Sequence, residues 1–372
     1  MKHCRWIAVM CLVCMLGGCA LVKKTEPTRP VVQTTPSVET TPSTAPATQP
    51  ETEPVTVPTT QPEPQEERFM ITFVGDCTLG TSPQYDGIMY SFPWTIGEDY
   101  DYPFRNVKQY FEDDDLTIIK LEGTFCEKGL PQRKVPFRFR GPAEYVNILT
   151  GSSVELASFA NNHTLDYYQF GYDATLETLE AAGISYVEES SAILYTTERG
   201  LKIGIYAAQT SIDLEDMKAE FATLREQGAE ILVVSIHWGV EGSYRPRENQ
   251  EEAAYAAIDA GADIIYGHHP HVLQRVEEYN GGIIYYSVGN FCFGGNNYPV
   301  DLDTAIFRQE IIRRDGETSL GELTVIPASS SSTGTNQNNF QPTPYEESSE
   351  GYQRVMSKVE GSWTGPDHDV AY

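Results

Sequence analysis

Between Phe69 and Val288 short runs rich in β-branched residues alternate with longer amphipathic stretches. That alternation restricts the chain to an α/β architecture with parallel strands buried on both faces. Candidate strands are Phe69–Val74, Leu116–Leu121, Val154–Phe159, Lys202–Ala207, Ile231–Ile236, Asp263–Tyr266 and Ile283–Val288. Among the amphipathic stretches are Gln169–Ala182, Leu214–Gln227 and Gln250–Ala260, followed by Gly183, Gly228 and Gly261 where helices commonly end. In open sheets of this kind ligands bind beyond the carboxyl ends of the strands, so chemistry is expected there.

Five strand ends carry suitable groups. Phe69–Val74 runs into Gly75-Asp76-Cys77-Thr78, and Leu116–Leu121 delivers Glu122-Gly123. Val154–Phe159 leads to Asn161-Asn162-His163, Ile231–Ile236 to His237-Trp238-Gly239, and Asp263–Tyr266 to Gly267-His268-His269-Pro270-His271. Taken singly, a Gly-Asp turn, a capped turn or a structural histidine accounts for each of the first four. Three imidazoles in four residues, on a backbone fixed by proline, are costly for packing alone and suit a metal. Five of the seven histidines fall at three of these ends, and the other two, His3 and His368, lie near the termini. Together the ends supply two carboxylates, one or two amides and at least three imidazoles. Such a set can hold two divalent ions about 3.5–4 Å apart and make water a nucleophile at neutral pH.

The amino-terminal region reads as export and tether. Lys2 and Arg5 precede an apolar run from Trp6 to Leu16, which is too short for the ~20 residues that span a bilayer and long enough for a secretory signal. It ends in Leu16-Gly17-Gly18-Cys19, which resembles a bacterial lipoprotein signal with Cys19 as the lipidated residue. Thr25–Pro64 holds 10 Pro and 12 Thr in 40 residues and no aromatic residue. It cannot build a core, and at about 3.1 Å per residue in polyproline II it reaches on the order of 100 Å. The expected organisation is a signal peptide over 1–19, a Pro/Thr-rich linker over 20–67, one folded domain over 68–361 and a tail over 362–372. The expected location is the outer face of a thick-walled, single-membrane bacterium, anchored to the membrane through Cys19.

Four of seven cysteines belong to the signal region, leaving Cys77, Cys126 and Cys292. Three thiols cannot all pair, so free buried thiols are expected, with a Cys77–Cys126 bridge as the alternative. Residues 1–67 carry 5 basic and 7 acidic side chains of the chain's 26 and 53, which leaves the domain at −25. That charge excludes nucleic acid as a partner. One basic island interrupts it: Arg133, Lys134, Arg138 and Arg140 lie in a stretch free of Asp and Glu from Leu130 to Ala143. Either it is a solvated loop, or Arg140 and Arg138 receive an anionic substrate, with Arg140 best suited to a bidentate contact.

At these residues the chain resembles the bacterial capsule synthesis protein CapA family, the poly-γ-glutamate biosynthesis group with the fold of calcineurin-like metallophosphoesterases. The resemblance runs from about Phe69 to Gly361. It rests on Phe139-Arg140-Gly141-Pro142, His237-Trp238-Gly239-Val240-Glu241, Ala260-Gly261-Ala262-Asp263 leading into His269-Pro270-His271, Val288-Gly289-Asn290-Phe291, and a tail from Asn338 to Pro344 followed by Glu350–Val359. It implies a layered α/β sandwich of sheets with flanking helices. It further implies Asp76, Glu122, Asn162, His237, His269 and His271 as ligands of two divalent ions, with Glu122 bridging. His163 would be the acid serving the leaving group, and Asn161 and His268 would support the ligands. The N/O set suits Mn, Fe or Zn. Three positions depart from the pattern: Thr78 where the wider fold has a histidine, Glu122 where it has an aspartate, and Gly242 where the family often has an aromatic residue.

The functional expectation is a metal-dependent, phosphoesterase-like hydrolase that builds or remodels an anionic surface polymer. The alternative is a non-hydrolytic accessory subunit of a poly-γ-glutamate polymerase and export complex, binding the polymer through its metal site alongside membrane partners. Amide-bond chemistry on the polymer is a third reading.

Overall fold

The computed structural model of the chain describes residues 66–368. The expected signal peptide, Cys19 and nearly all of the linker lie outside the described residues, as do residues 369–372. Two sheets stack face to face. The larger has the order Thr343–Pro344, Glu317–Ser329, Asp303–Arg314, Glu66–Thr78, Leu116–Leu121, Leu156–Ser158, Ser185–Val187, with Asn290–Phe293 pairing beside the end of Glu66–Thr78. The smaller has the order Val276–Tyr279, Gly282–Tyr285, Ile264–His268, Ile231–His237, Lys202–Gln209, Ser191–Thr196.

The period of two along each strand assigns its side chains to two different cores. In the first strand Ile71 and Phe73 point between the sheets, whereas Val74 and Cys77 point outward. In the smaller sheet Val233, Tyr266 and Tyr285 face inward, and Val234, Ile265 and Ile284 face out. The outer face of the smaller sheet is closed by Met217, Phe221 and Leu224 of helix Leu214–Glu226 and by Ala254, Ala257 and Ile258 of helix Glu248–Asp259. Helix Tyr168–Ala182 contributes Leu179 to the cover of the larger one. The result is a four-layer α/β/β/α sandwich. Among the described residues no helix is long and apolar enough to cross a membrane.

The centre of each sheet is parallel, as expected. The antiparallel flank was not expected. Glu66–Thr78 pairs antiparallel with Asp303–Arg314, which turns through Asp315-Gly316 into Glu317–Ser329. Asp315 and Gly316 both have positive φ, 54° and 86°, as a two-residue hairpin turn of Asp-Gly type requires. Pairing also explains why the first strand starts at Glu66, inside the segment read as linker: Glu66 lies opposite Arg314 and Glu67 opposite Arg313, each pair joined by an ion pair. Cys77, Cys126 and Cys292 are buried and free, and no Cys77–Cys126 bridge forms.

Helix Glu350–Val359 is fastened by a buried charge cluster. Lys358 Nζ lies 2.5 Å from Asp301 and 2.7 Å from Asp303, and Arg354 reaches both oxygens of Asp303 at 2.6 Å. Beyond the helix the rings of Trp363 and His368 pack on Tyr244. Burial pushes the Asp303 carboxyl up, but the Arg354 and Lys358 contacts outweigh it and hold the group below its ordinary value. Its contribution is therefore complete above about pH 4 and drains as the pH falls further. Lys358→Met leaves two buried carboxylates short of a cation and should cost about 3 kcal/mol, or roughly 10 °C in Tm at pH 7, a difference that narrows in acid. Equal Tm for the variant and the parent chain at pH 7 would show the cluster to be energetically neutral.

Candidate metal centre

The site forms where the carboxyl ends of the parallel strands from both sheets meet. Asp76 and Lys120 are register partners on adjacent strands, and Glu122 follows directly. In the smaller sheet His268 and His237 are partners. Two glycines let the elements approach. A Cβ on Gly75 would lie 2.2 Å from the Gly289 carbonyl, and one on Gly267 would lie 2.2 Å from that of Tyr286. With no side chain at Gly75, Asp76 N–H donates to Gly289 O at 2.8 Å, which brings Asn290 to the site.

Asp76 is fully buried and takes His268 Nδ1 on one oxygen at 2.7 Å and His271 Nδ1 on the other at 3.3 Å. His271 Nδ1 also lies 2.9 Å from Asn290 Oδ1. Glu122 is equally buried, and three imidazoles face one of its oxygens: His271 at 3.8 Å, His163 at 3.9 Å and His237 at 3.9 Å. None of these is a hydrogen bond, and both Glu122 oxygens are unpartnered. His237 Nε2 is 2.7 Å from Asn162 Oδ1, and Asn161 Nδ2 donates to Leu121 O at 2.7 Å. His163 Nδ1 is held by Asp166 Oδ2 at 2.7 Å, and its ring centre is 4.5 Å from that of Phe139. His269 and His271 sit on left-handed backbone, φ 94° and 57°, a conformation that costs about 1–3 kcal/mol per residue and survives where the surroundings enforce it.

Burial pushes the Glu122 carboxyl up to about 7 against the pull of His271. For Asp76 burial also raises, but His268 and His271 outweigh it and hold the group well below its ordinary value. Burial lowers His237 strongly and takes His268 and His269 to about 4, which keeps these rings neutral, the form that ligates. His163 moves up, because the Asp166 hydrogen bond and the Glu122 charge outweigh burial.

The residues present fit divalent ions. A buried carboxylate with neither oxygen hydrogen-bonded costs several kcal/mol unless a cation completes it. His237 Nδ1, His268 Nε2 and His269 Nδ1 are likewise buried without a partner. Donor atoms of Asp76, Glu122 and His271 all lie within 4.8 Å of one another. The set of carboxylate, imidazole and amide donors is that of Mn, Fe or Zn.

Thus Asp76, Glu122, Asn161, Asn162, His163, His237, His268, His269 and His271 are brought together. Arg140 borders them, lining a small cleft with Thr78, Glu122 and Phe139. The Arg140 guanidinium is buried against Asp86 at 2.6 Å, and Arg138 Nη1 donates to the carbonyls of Val135 and Arg133 at 2.7 and 3.3 Å. Arg140 is thus paired with a carboxylate, whereas Arg138 meets only backbone carbonyls and its buried Nε has no partner. Arg133 of the same island instead lines a 390 Å³ cavity with Asn162, His163, Asp166 and Glu241. Sequence reading also passed over Lys120, which is buried among the site's supports, with Nζ 3.3 Å from Ser158 Oγ, itself 2.7 Å from Ser235 Oγ in the other sheet. Burial pulls its ammonium down to about 7. The available signal was a lysine in a strand whose neighbours are all apolar or small.

Residues 70–295 match the family model described as bacterial capsule synthesis protein PGA_cap. The chain is 28% identical over 291 residues to the capsule biosynthesis protein CapA of Bacillus anthracis, covering 71% of this chain and 68% of that one. It is 31% identical over 245 residues to the PGA biosynthesis protein CapA of Bacillus subtilis, covering 60% and 62%. It is 27% identical over 208 residues to a probable polyglutamine synthesis accessory protein of Mycobacterium tuberculosis, covering 47% and 55%. Among solved structures it overlaps the calcineurin-like phosphoesterase YfkN from Bacillus subtilis with a TM-score of 0.44 at 12% identity, covering 74% of this chain and 95% of that one.

Because an ion that binds only the folded state stabilises it, Mn(II) at 100 times its Kd should add about 2.7 kcal/mol to the chelator-treated chain, a rise of several degrees in Tm. The double variant His269→Ala, His271→Ala should show no rise. A variant that kept the full rise would place the ion elsewhere.

Proposed function

The chain belongs to the bacterial capsule synthesis protein family, and from that premise we propose that it is a metal-dependent hydrolase of phosphoester type, serving the synthesis or remodelling of an anionic surface polymer resembling poly-γ-glutamate. The carrying observation is Glu122, a buried carboxylate with both oxygens unpartnered and three imidazoles within 3.9 Å. The two Bacillus relatives are named for capsule and PGA biosynthesis, and these supply the polymer in this reading. The export signal and the Pro/Thr-rich tether support a lipid-anchored position outside the membrane through Cys19.

A divalent ion bound here supplies Lewis-acid polarisation of a phosphoryl oxygen and a nucleophile from water at neutral pH. The chain's own residues do the rest. Asp76, Glu122, Asn162, His237, His269 and His271 form the ligand set, and Asn161 and His268 hold two of its members through Leu121 O and Asp76. His163 stands beside Glu122 as the proton donor for a leaving group. Asp166 fixes the imidazole through Nδ1, leaving Nε2 as the atom that faces the centre. The same Asp166 oxygen accepts from Phe139 N–H at 2.8 Å, so the ring that packs on the imidazole and the carboxylate that orients it are set together. Water reaches the centre through the 390 Å³ cavity at His163 and a 270 Å³ cavity lined by Asn162, His237 and His269.

One observation favours a second reading, in which the chain is a non-hydrolytic accessory subunit of a polymer synthesis and export complex. The Mycobacterium tuberculosis relative is named a probable accessory protein, and the Arg140 guanidinium, the best bidentate candidate, is paired with Asp86.

Turnover of a generic phosphodiester and of poly-γ-glutamate by the metal-loaded chain separates the two. On the hydrolase reading the diester is cleaved, and His163→Gln lowers kcat by about 10²- to 10⁴-fold at unchanged metal content. Stoichiometric metal with cleavage of neither compound would support the accessory reading instead.

A further inference from the structure

Glu241 follows the strand Ile231–His237 by four residues and is half-buried at the rim of the 390 Å³ cavity. Its carboxylate makes no hydrogen bond or ion pair among the described residues. It nevertheless presents an oxygen to His269 and His271, the donor atoms of the three lying within 4.8 Å of one another. We propose that Glu241 is a further metal ligand, which binds a divalent cation together with His269 and His271 on the cavity side of the centre. The inference rests on reading the centre as a metal site.

The position is built. Gly242 N–H donates to Pro270 O at 2.8 Å, so the loop that carries Glu241 is bonded to the turn between the two histidines. On its other side the C-terminal segment clamps the loop: His368 N–H donates to Gly242 O at 3.0 Å, and Tyr244 N–H to Asp367 Oδ1 at 3.0 Å. Gln274 Nε2 holds Ser243 O at 2.8 Å. His269 and His271 both have left-handed backbone, and their ring centres are 5.9 Å apart. The orphaned Nδ1 of His269 supplies the second, independent sign of a missing partner. With no cation, Glu241 and Glu122 repel, and His269 Nδ1 is left without a partner. An ion bound by Glu241 removes both defects, and a carboxylate oxygen added to two imidazoles favours a cation of the Mn(II) or Fe(II) kind over a softer one.

The test is Mn(II) binding to the chelator-treated full-length chain, read as affinity and equivalents bound, for the parent and for Glu241→Gln, Glu241→Asp and Glu252→Gln. Glu252 is an exposed acid on helix Glu248–Asp259 and controls for lost charge. Loss of even an indirect support costs about 10- to 100-fold in metal affinity, so both Glu241 variants should weaken Mn(II) at least tenfold or lose an equivalent, with Glu252→Gln unchanged. Parent-like binding by either folded Glu241 variant, judged by Tm in chelator, overturns the ligand role while leaving the metal centre intact. No binding by the parent chain overturns the metal centre itself.

Discussion

The structure turns on a carboxylate that protein alone does not satisfy. Glu122 is fully buried, neither of its oxygens accepts a hydrogen bond, and the nearest cations available to it are imidazoles 3.8–3.9 Å away. Folding a chain around such a group is unfavourable unless something positive arrives. The surrounding architecture serves that need. Parallel strands of two sheets end at one place, Gly75 and Gly267 let their backbones close up, and the His269–His271 turn accepts left-handed backbone to aim two rings inward.

The same convergence gives the site its asymmetry. Asp76 is stabilised as an anion by His268 and His271, whereas burial pushes Glu122 up, and His237, His268 and His269 are kept neutral by burial. Lys120 lies beneath them in the inter-sheet layer, joined through Ser158 to Ser235. It ties the two sheets together below the point where their ends diverge into the ligand loops. The domain's net acidity therefore continues into its centre, where two buried carboxylates favour a cation.

Much of this was legible in the sequence, for physical reasons. The central strands are buried on both faces and so read as continuous β-branched runs, and the site residues follow them directly because strand ends are where a parallel sheet opens. The hairpin Asp303–Arg314 and Glu317–Ser329 was not read, although Asp315-Gly316 is a turn signal, because its strands are half-exposed and interleave Arg, Glu and Thr with their apolar positions. The Arg140–Asp86 pair was not legible, because a basic island in sequence says nothing of its partners: Asp86, far from Arg140 in the chain, takes the guanidinium at 2.6 Å. Lys120 was hidden by the opposite effect, since a single lysine does not break an apolar run. Glu241 was legible as part of a motif but not as a donor, because its relation to His269 and His271 is made by loops from two separate strand ends.

The central claim is that this convergence of strand ends is a metal centre. Anomalous diffraction at the Mn edge from crystals of the chain grown with Mn(II) tests it most directly. The account predicts a peak within ligand distance of Glu122, Asp76 and His271, bounded on the cavity side by His269. Crystals that diffract well and show no peak among these residues at saturating Mn(II) would contradict it.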